Sequence, residues 1–235
     1  MPAADRPPAT FRLLIVPGVT VDKWNRVWSE RQPGVALRIV PAAHAQLGPL
    51  LDGGADAGLV RLPVDQETFH AIPLYTEATV VVMPRDHALA ASGELTVADL
   101  AGYTLTQPLD DVLALTSSPD LTVTTDRPAT TPDAVELVAA TVGVLLVPQS
   151  LARLHNRKDV TYRVVTDAPQ SSVALAWLRD QEDDELIEEM IGVVRGRTAN
   201  STRGRTQPPP PPRNPEPAKR PRRTPPGPQQ RRKRR

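Results

Sequence analysis

Cysteine is absent from the 235-residue chain, so disulfides, thiolate nucleophiles and thiolate metal sites are closed to it. Aromatic residues number only eight, three Trp, three Tyr and two Phe, and a core must therefore be assembled mainly from Ala, Val and Leu. No apolar run approaches the roughly 20 residues that a membrane helix needs. The stretch from Leu13 to Val16 is too short for the centre of a signal peptide. A soluble cytoplasmic protein without membrane association is the expectation. Catalytic patterns are missing too: there is no G-x-S-x-G, no Walker motif and no dinucleotide-binding glycine pattern. His44, His70, His87 and His155 stand far apart without carboxylates at ligand spacing, and they read as surface or structural histidines. Asp110-Asp111 lies in an irregular stretch and reads as solvated surface, while Asp183-Asp184-Glu185 opens a helix, where acids suit the dipole. No catalysis, bound metal or cofactor is expected.

Charge is present but divided. Of 28 Lys and Arg, 13 fall within 197–235, and of 27 acids only Glu216 does, which leaves residues 1–196 near −11 and the end of the chain near +12. Such an asymmetry marks a folded body carrying an interaction tail. The tail holds 11 prolines in 39 residues and no aromatic, so it is expected to be disordered with polyproline character, as are residues 1–9 at the other end. Its two basic clusters predict non-specific binding to nucleic-acid phosphates through Lys219, Arg220, Arg222, Arg223, Arg231, Arg232, Lys233, Arg234 and Arg235. A merely solubilising tail, or one that lies on the acidic body, are the alternatives.

The best-specified segment is 130–150. Thr131 can cap a helix, Pro132 fits its first position and Asp133 suits its positive end. Ala134, Leu137, Val138, Thr141 and Val142 follow at helical spacing, Gly143 supplies a stop, and Val144 to Val147 reads as a buried parallel strand. Pro148 ends it, and Ser150 can cap a helix over 151–157. Before this segment the pattern predicts strands at 11–16, 35–40 and 57–62. Between them come a helix capped by Thr20, with Val21, Trp24, Val27 and Trp28 on its core face, and a short helix at 46–52. That alternation means a parallel sheet. A second α/β unit has strands at 78–83, 103–107 and 121–124 and a short helix at 95–100. Strands at 161–166 and 173–178 and a helix at 183–194 close the body.

The pieces Gln32-Pro33-Gly34-Val35-Ala36-Leu37, Leu50-Leu51-Asp52-Gly53-Gly54-Ala55-Asp56-Ala57-Gly58 and Pro73-Leu74-Tyr75-Thr76-Glu77 occur in that order. Arg85-Asp86-His87-Ala88-Leu89, Leu95-Thr96-Val97-Ala98-Asp99-Leu100, Leu137 to Val144 and Val147-Pro148-Gln149-Ser150 follow them. In this order and spacing the chain resembles, over about 11–195, the effector-binding domain of LysR-type transcriptional regulators, a type 2 periplasmic-binding-protein-like fold. The resemblance implies an α/β protein of two subdomains, 10–79 with 172–196 and 80–171, joined by two crossing strands at 78–83 and 171–177. It implies a small-molecule effector in the cleft between them, lined by Val19, Thr20, Ala43, His44, Arg61, Gln107, Pro108, Thr130 and Thr131. Arg61 would be the anion partner, or half of an interlobe salt bridge; Thr131 and Thr20 would be ligand contacts or helix caps.

In three respects the chain departs from the family pattern. Strand one is expected almost at the start of the chain, so the family's helix-turn-helix and linker helix are expected to be absent from it. Ala43 stands where a hydroxyl is common. Twelve residues between Pro108 and Leu121 are too few for the usual helix. The function implied is sensing of a small polar or anionic metabolite in transcriptional regulation, without a helix-turn-helix of its own, as a homodimer or with a hetero-partner. The alternative is a nucleic-acid-associated protein that acts through its basic tail and has a degenerate cleft; a periplasmic solute receptor would share the fold.

Overall fold

A computed structural model describes residues 9–42, 47–113, 121–181 and 184–196. Strand β1 (Ala9–Ile15) lies between β2 (Val35–Pro41) and β3 (Ala57–Arg61) and is parallel to both, as the strand-helix alternation requires. Helix α1 (Asp22–Arg31) and the one-turn α2 (Gly48–Leu51) make the crossovers. The sheet is completed by β11 (Ser171–Leu178), antiparallel to β3, and by β4 (Phe69–Glu77) at the edge, giving the order β2-β1-β3-β11-β4. Alternation along β1 sends Phe11, Leu13 and Ile15 to one face, against Trp28 and the Ile187, Met190 and Ile191 stripe of α5 (Glu185–Val194). Leu14 and Val16 go to the other face, with Leu50, Val60 and Phe69. Both faces are thus covered, as a parallel sheet demands. The tryptophans are core residues: Trp28 stacks on Phe11 at 4.9 Å and donates its Nε1–H to the Val35 carbonyl at 2.9 Å.

The second lobe orders its main sheet β6 (Glu94–Leu95), β10 (Val160–Val165), β5 (Thr79–Pro84), β9 (Leu145–Pro148). A small parallel pair, β7 (Thr104–Leu105) and β8 (Thr122–Val123), stands beside it. Helices α3 (Thr131–Ala139) and α4 (Gln149–Leu154) pack on one side through Ala134, Val135, Val138 and Leu151. The described residues form one compact unit in which the chain crosses between lobes twice, at Ala78 and again at 166–170. The two strands that leave these crossings, β5 and β11, each run within one sheet.

Several expectations shift. The strand over 144–147 is antiparallel to β5, not parallel, because β5 enters from the crossing in the opposite direction; only Val144 makes a parallel bridge, to Leu105. Its continuous apolar character reports burial on both faces, which either direction satisfies. Thr20 does not cap α1: the helix begins at Asp22, Val21 takes the cap position without a side-chain bond, and Thr20 is exposed. At α3 the register moves by one residue. Thr130 is the cap in a reciprocal capping box with Asp133, and Thr131 is the first helical residue. Ser150 caps nothing, since α4 starts at Gln149, two residues earlier than expected, with Pro148 at the cap position. Gly48-Pro49, inside the span expected for the short helix at 46–52, opens α2, where a proline near the first position loses no hydrogen bond. The helix expected at 95–100 is a two-residue strand and a single 3-10 turn.

The end of α3 gives Gly143 a different reason from the expected one. The Val142 N–H reaches the Leu137 carbonyl at 3.0 Å and the Thr141 N–H reaches Val138 at 2.9 Å, a Schellman closure whose left-handed position is held by Thr141, with φ of 66°. Gly143 is needed two residues later, where a Cβ would run into the Thr104 carbonyl oxygen of β7.

Candidate functional site

The carboxyl ends of the parallel strands β1, β2 and β3 face the second lobe, the edge where open α/β sheets place ligands. A cavity of about 260 Å3 opens there. The first lobe contributes Val16 and Pro17 after β1, Ala42 after β2 and Arg61 at the end of β3. The second lobe contributes Asp110 and Val112, the α3 start at Thr130, Thr131 and Pro132, and Leu151, Leu154 and His155 on and after α4. A more open recess of about 410 Å3 continues outward past Val16, Pro17, Ala42 and Leu154 to Val19, Thr20 and Asp22 at the start of α1.

Arg61 decides how the two lobes meet. Its side chain is 3% exposed, and its Nη1 donates to Glu77 Oε2 at 2.9 Å and to Ser171 Oγ at 2.9 Å. Nη2 donates to Ser150 Oγ at 3.0 Å and to the Pro17 carbonyl at 3.2 Å. Ser150 in turn donates to Glu77 Oε2 at 2.8 Å. The guanidinium therefore ties two strands of the first lobe, the Pro17 turn and the α4 start of the second lobe into one buried charged network. Gly18 permits this approach: its φ is 86°, and a Cβ there would stand 2.6 Å from Ser150 Oγ.

On the opposite wall, Thr131 Oγ1 donates to Asp110 Oδ1 at 2.9 Å, so a carboxylate of the chain sits at the amino end of α3. Asp133 occupies the same end from the helix side and accepts from the Thr130 N–H at 3.1 Å and hydroxyl at 2.7 Å. Burial lowers the pKa of His155 from its ordinary value, and the Asp110 charge opposes that shift in part. Among the described residues no cluster of His, Asp or Glu is arranged to hold a metal ion, and no helix is long and apolar enough to cross a membrane.

The expected site residues separate into groups. Arg61, Thr130 and Thr131 line the inner cavity, and Val19 and Thr20 line the outer recess. Gln107 and Pro108 line neither: the Gln107 side chain donates to Asp111 at 2.7 Å, and the backbone carbonyls of both residues accept from Arg127. Ala43 and His44 lie outside the described residues, directly after Ala42. The nine basic residues from Lys219 to Arg235 lie outside them as well. Asp110, which reads as solvated surface, and His155, which reads as a surface or structural histidine, are cavity residues, and Glu77, Ser150 and Ser171 are not among the expected site residues. Glu77 and Ser150 end two of the stretches that carry the resemblance, yet nothing local marks them or Ser171 as partners of Arg61, because the network is assembled from segments as far as 110 residues apart.

The LysR substrate binding domain family model matches residues 19–199. Over 179 residues the chain is 27% identical to a "Probable hydrogen peroxide-inducible genes activator" of Mycobacterium avium, covering 71% of this chain and 57% of that protein. Over 183 residues it is 26% identical to the "Hca operon transcriptional activator HcaR" of Escherichia coli K12, covering 73% and 61%. The chain thus spans less than two thirds of the length of these relatives. Among solved structures, the oxidized form of OxyR superposes with a TM-score of 0.66 at 21% identity, covering 80% of this chain and 95% of that one. The BenM effector binding domain with its effector benzoate superposes with a TM-score of 0.64 at 20% identity, covering 86% and 96%. At these identities the structural likeness establishes the fold.

Proposed function

The chain belongs to the LysR substrate-binding domain family, and from that premise we propose that it takes part in transcription regulation as a sensor whose small effector enters the cavity between the lobes. The carrying observation is that the cavity walls come from both lobes, at the carboxyl ends of β1, β2 and β3 on one side and at the α3 start and α4 on the other. A ligand touching both can bias how the lobes meet by as much as its contacts differ between arrangements. The small cavity limits the effector to a compact molecule. Its role is regulatory rather than catalytic, and its setting is cytoplasmic. Thiol oxidation is not the signal in this chain, which has no cysteine.

Arg61 was the expected anion partner, yet both its terminal nitrogens are bonded within the protein. Its role in this reading is to brace the lobes beside the effector, and Thr131 together with the apolar walls makes the direct contacts. A thermal-shift screen of small metabolites on the full chain tests the proposal, since a ligand at ~100 times its dissociation constant adds about 2.7 kcal/mol. A screen in which no compact metabolite raises the melting temperature counts against it.

The concentration of 13 cations within 197–235 supports a second, compatible activity: non-specific contact with nucleic-acid phosphates through the tail, with a body that pairs with a second copy or another regulator. For ~6–10 phosphate contacts, affinity for two unrelated duplexes should fall equally, by about 10³ to 10⁵ between ~50 and ~200 mM salt. Strong preference for one duplex, or equal binding after removal of 197–235, excludes it. Sedimentation showing only monomer at high concentration excludes the homodimer.

A further inference from the structure

The charge already built into the cavity constrains what can enter it. Arg61 is a cation in its wall, and its two terminal nitrogens make four bonds to Glu77, Ser171, Ser150 and Pro17. The amino end of α3 is the other source of positive potential, and it carries Asp133 in its capping box and Asp110 on the Thr131 hydroxyl. His155, in the same wall, is held toward its neutral form by burial. Val16, Pro17, Ala42, Val112, Leu151 and Leu154 supply the apolar remainder of the described walls.

A ligand carboxylate entering this space would lose water, stand beside Asp110 and meet no described cation whose terminal nitrogens are not already bonded. An ammonium or a neutral donor is in a different position. A carboxylate accepts at several lone-pair positions, so Asp110 can receive a donor in addition to the partners it already has.

We propose that the cavity selects compact, mainly apolar ligands that are cationic or uncharged and rejects carboxylates of the same size, with Asp110 as the residue that sets this preference. The proposal rests on the reading of the cavity as the effector site and sharpens it to a ligand class. Of the expected polar or anionic metabolites, it excludes the anionic ones.

Three probes that share one ring separate the possibilities: benzylamine, an ammonium at neutral pH, benzyl alcohol and benzoate, each titrated into the full chain at pH 7 and low salt by NMR. The expected order of affinity is benzylamine, then benzyl alcohol, then benzoate, with the ends of the series apart by about tenfold or more. Asp110→Asn still accepts from Thr131, and it should collapse the series and raise benzoate affinity. Benzoate binding as tightly as benzylamine in the unmodified chain overturns the proposal while leaving the effector cavity in place. An order unchanged in a folded Asp110→Asn variant overturns the assignment to Asp110. If none of the three perturbs cavity residues at millimolar concentration, the effector-cavity reading falls, and the proposal with it.

Discussion

The first lobe brings three parallel strands to a common edge, and its cavity residues sit where those strands end, so sheet geometry holds them. The second lobe builds its share of the cavity from a loop, a helix start and the end of a short helix, beside a sheet whose strands are two to six residues long. The first wall carries a buried ion pair; the second carries Asp110, Thr131 and His155 on a loop, a helix start and a helix end. Substitutions in the two walls should therefore differ in kind. Breaking the buried ion pair of the first should cost stability, and substitutions at Asp110 in the second should change what the cavity binds.

The largest effect should come from Arg61→Leu, which leaves Glu77 buried beside Ser150 without its cation. A loss of about 3–5 kcal/mol in denaturant unfolding is expected. Arg12 makes the informative contrast. It also pairs with a carboxylate, Asp56, but its side chain is 35% exposed, and Arg12→Leu should cost no more than about 1 kcal/mol. Equal losses for the two would erase the distinction drawn for the interlobe network.

Next in size is Gly143→Ala, which puts a Cβ against the Thr104 carbonyl at a φ of 131° and should cost about 1–3 kcal/mol. Thr141→Gly, two residues earlier, should do the reverse. It relieves a β-branched residue at φ of 66° and should raise stability by roughly 1 kcal/mol. If Thr141→Gly destabilises, the left-handed position at the end of α3 is misassigned.

The smallest expected effect is a pH dependence. His155 has a lowered pKa in the folded state, so the unfolded chain binds its proton more readily. The contribution of His155 is complete above its unfolded value, near ~6.5, and is lost as pH falls below it toward the folded value. Comparing acid melting profiles of the unmodified chain and His155→Gln should show less decline in the variant over that window. Identical profiles would mean that the folded environment does not penalise the charged imidazole.

What was legible in the sequence follows the same division between lobes. The parallel order of β1, β2 and β3 and the core roles of Trp28 and of the α5 stripe could be read from spacing, because strand-helix alternation and helical periodicity are local signals. Strand β4 was not read from spacing: Pro73 lies inside it, only Phe69 is buried, and its pairing with β11 shifts register between Val173 and Ala174. A proline is tolerated there because β4 is an edge strand. The site was legible where it follows strand ends, as at Arg61, and where a helix begins, as at Thr130 and Thr131. Asp110 and His155 escaped because a short irregular loop and a helix end carry no periodic signal, and only tertiary packing brings them to one cavity. The fate of Arg61 was also beyond reach of spacing, since Glu77, Ser150 and Ser171 converge on it from three separate segments.

The central claim is that the effector occupies the cavity shared by the two lobes, and filling that cavity tests it most directly. Ala42 lines it on the first-lobe side and Val112 on the second. The measurement is the melting shift that each hit of a metabolite screen produces in the unmodified chain and in the variants Ala42→Leu and Val112→Phe. The account predicts that both folded variants lose the shift, because the added carbons take the volume the ligand needs. A shift of unchanged size in both would place the effector elsewhere and contradict the account.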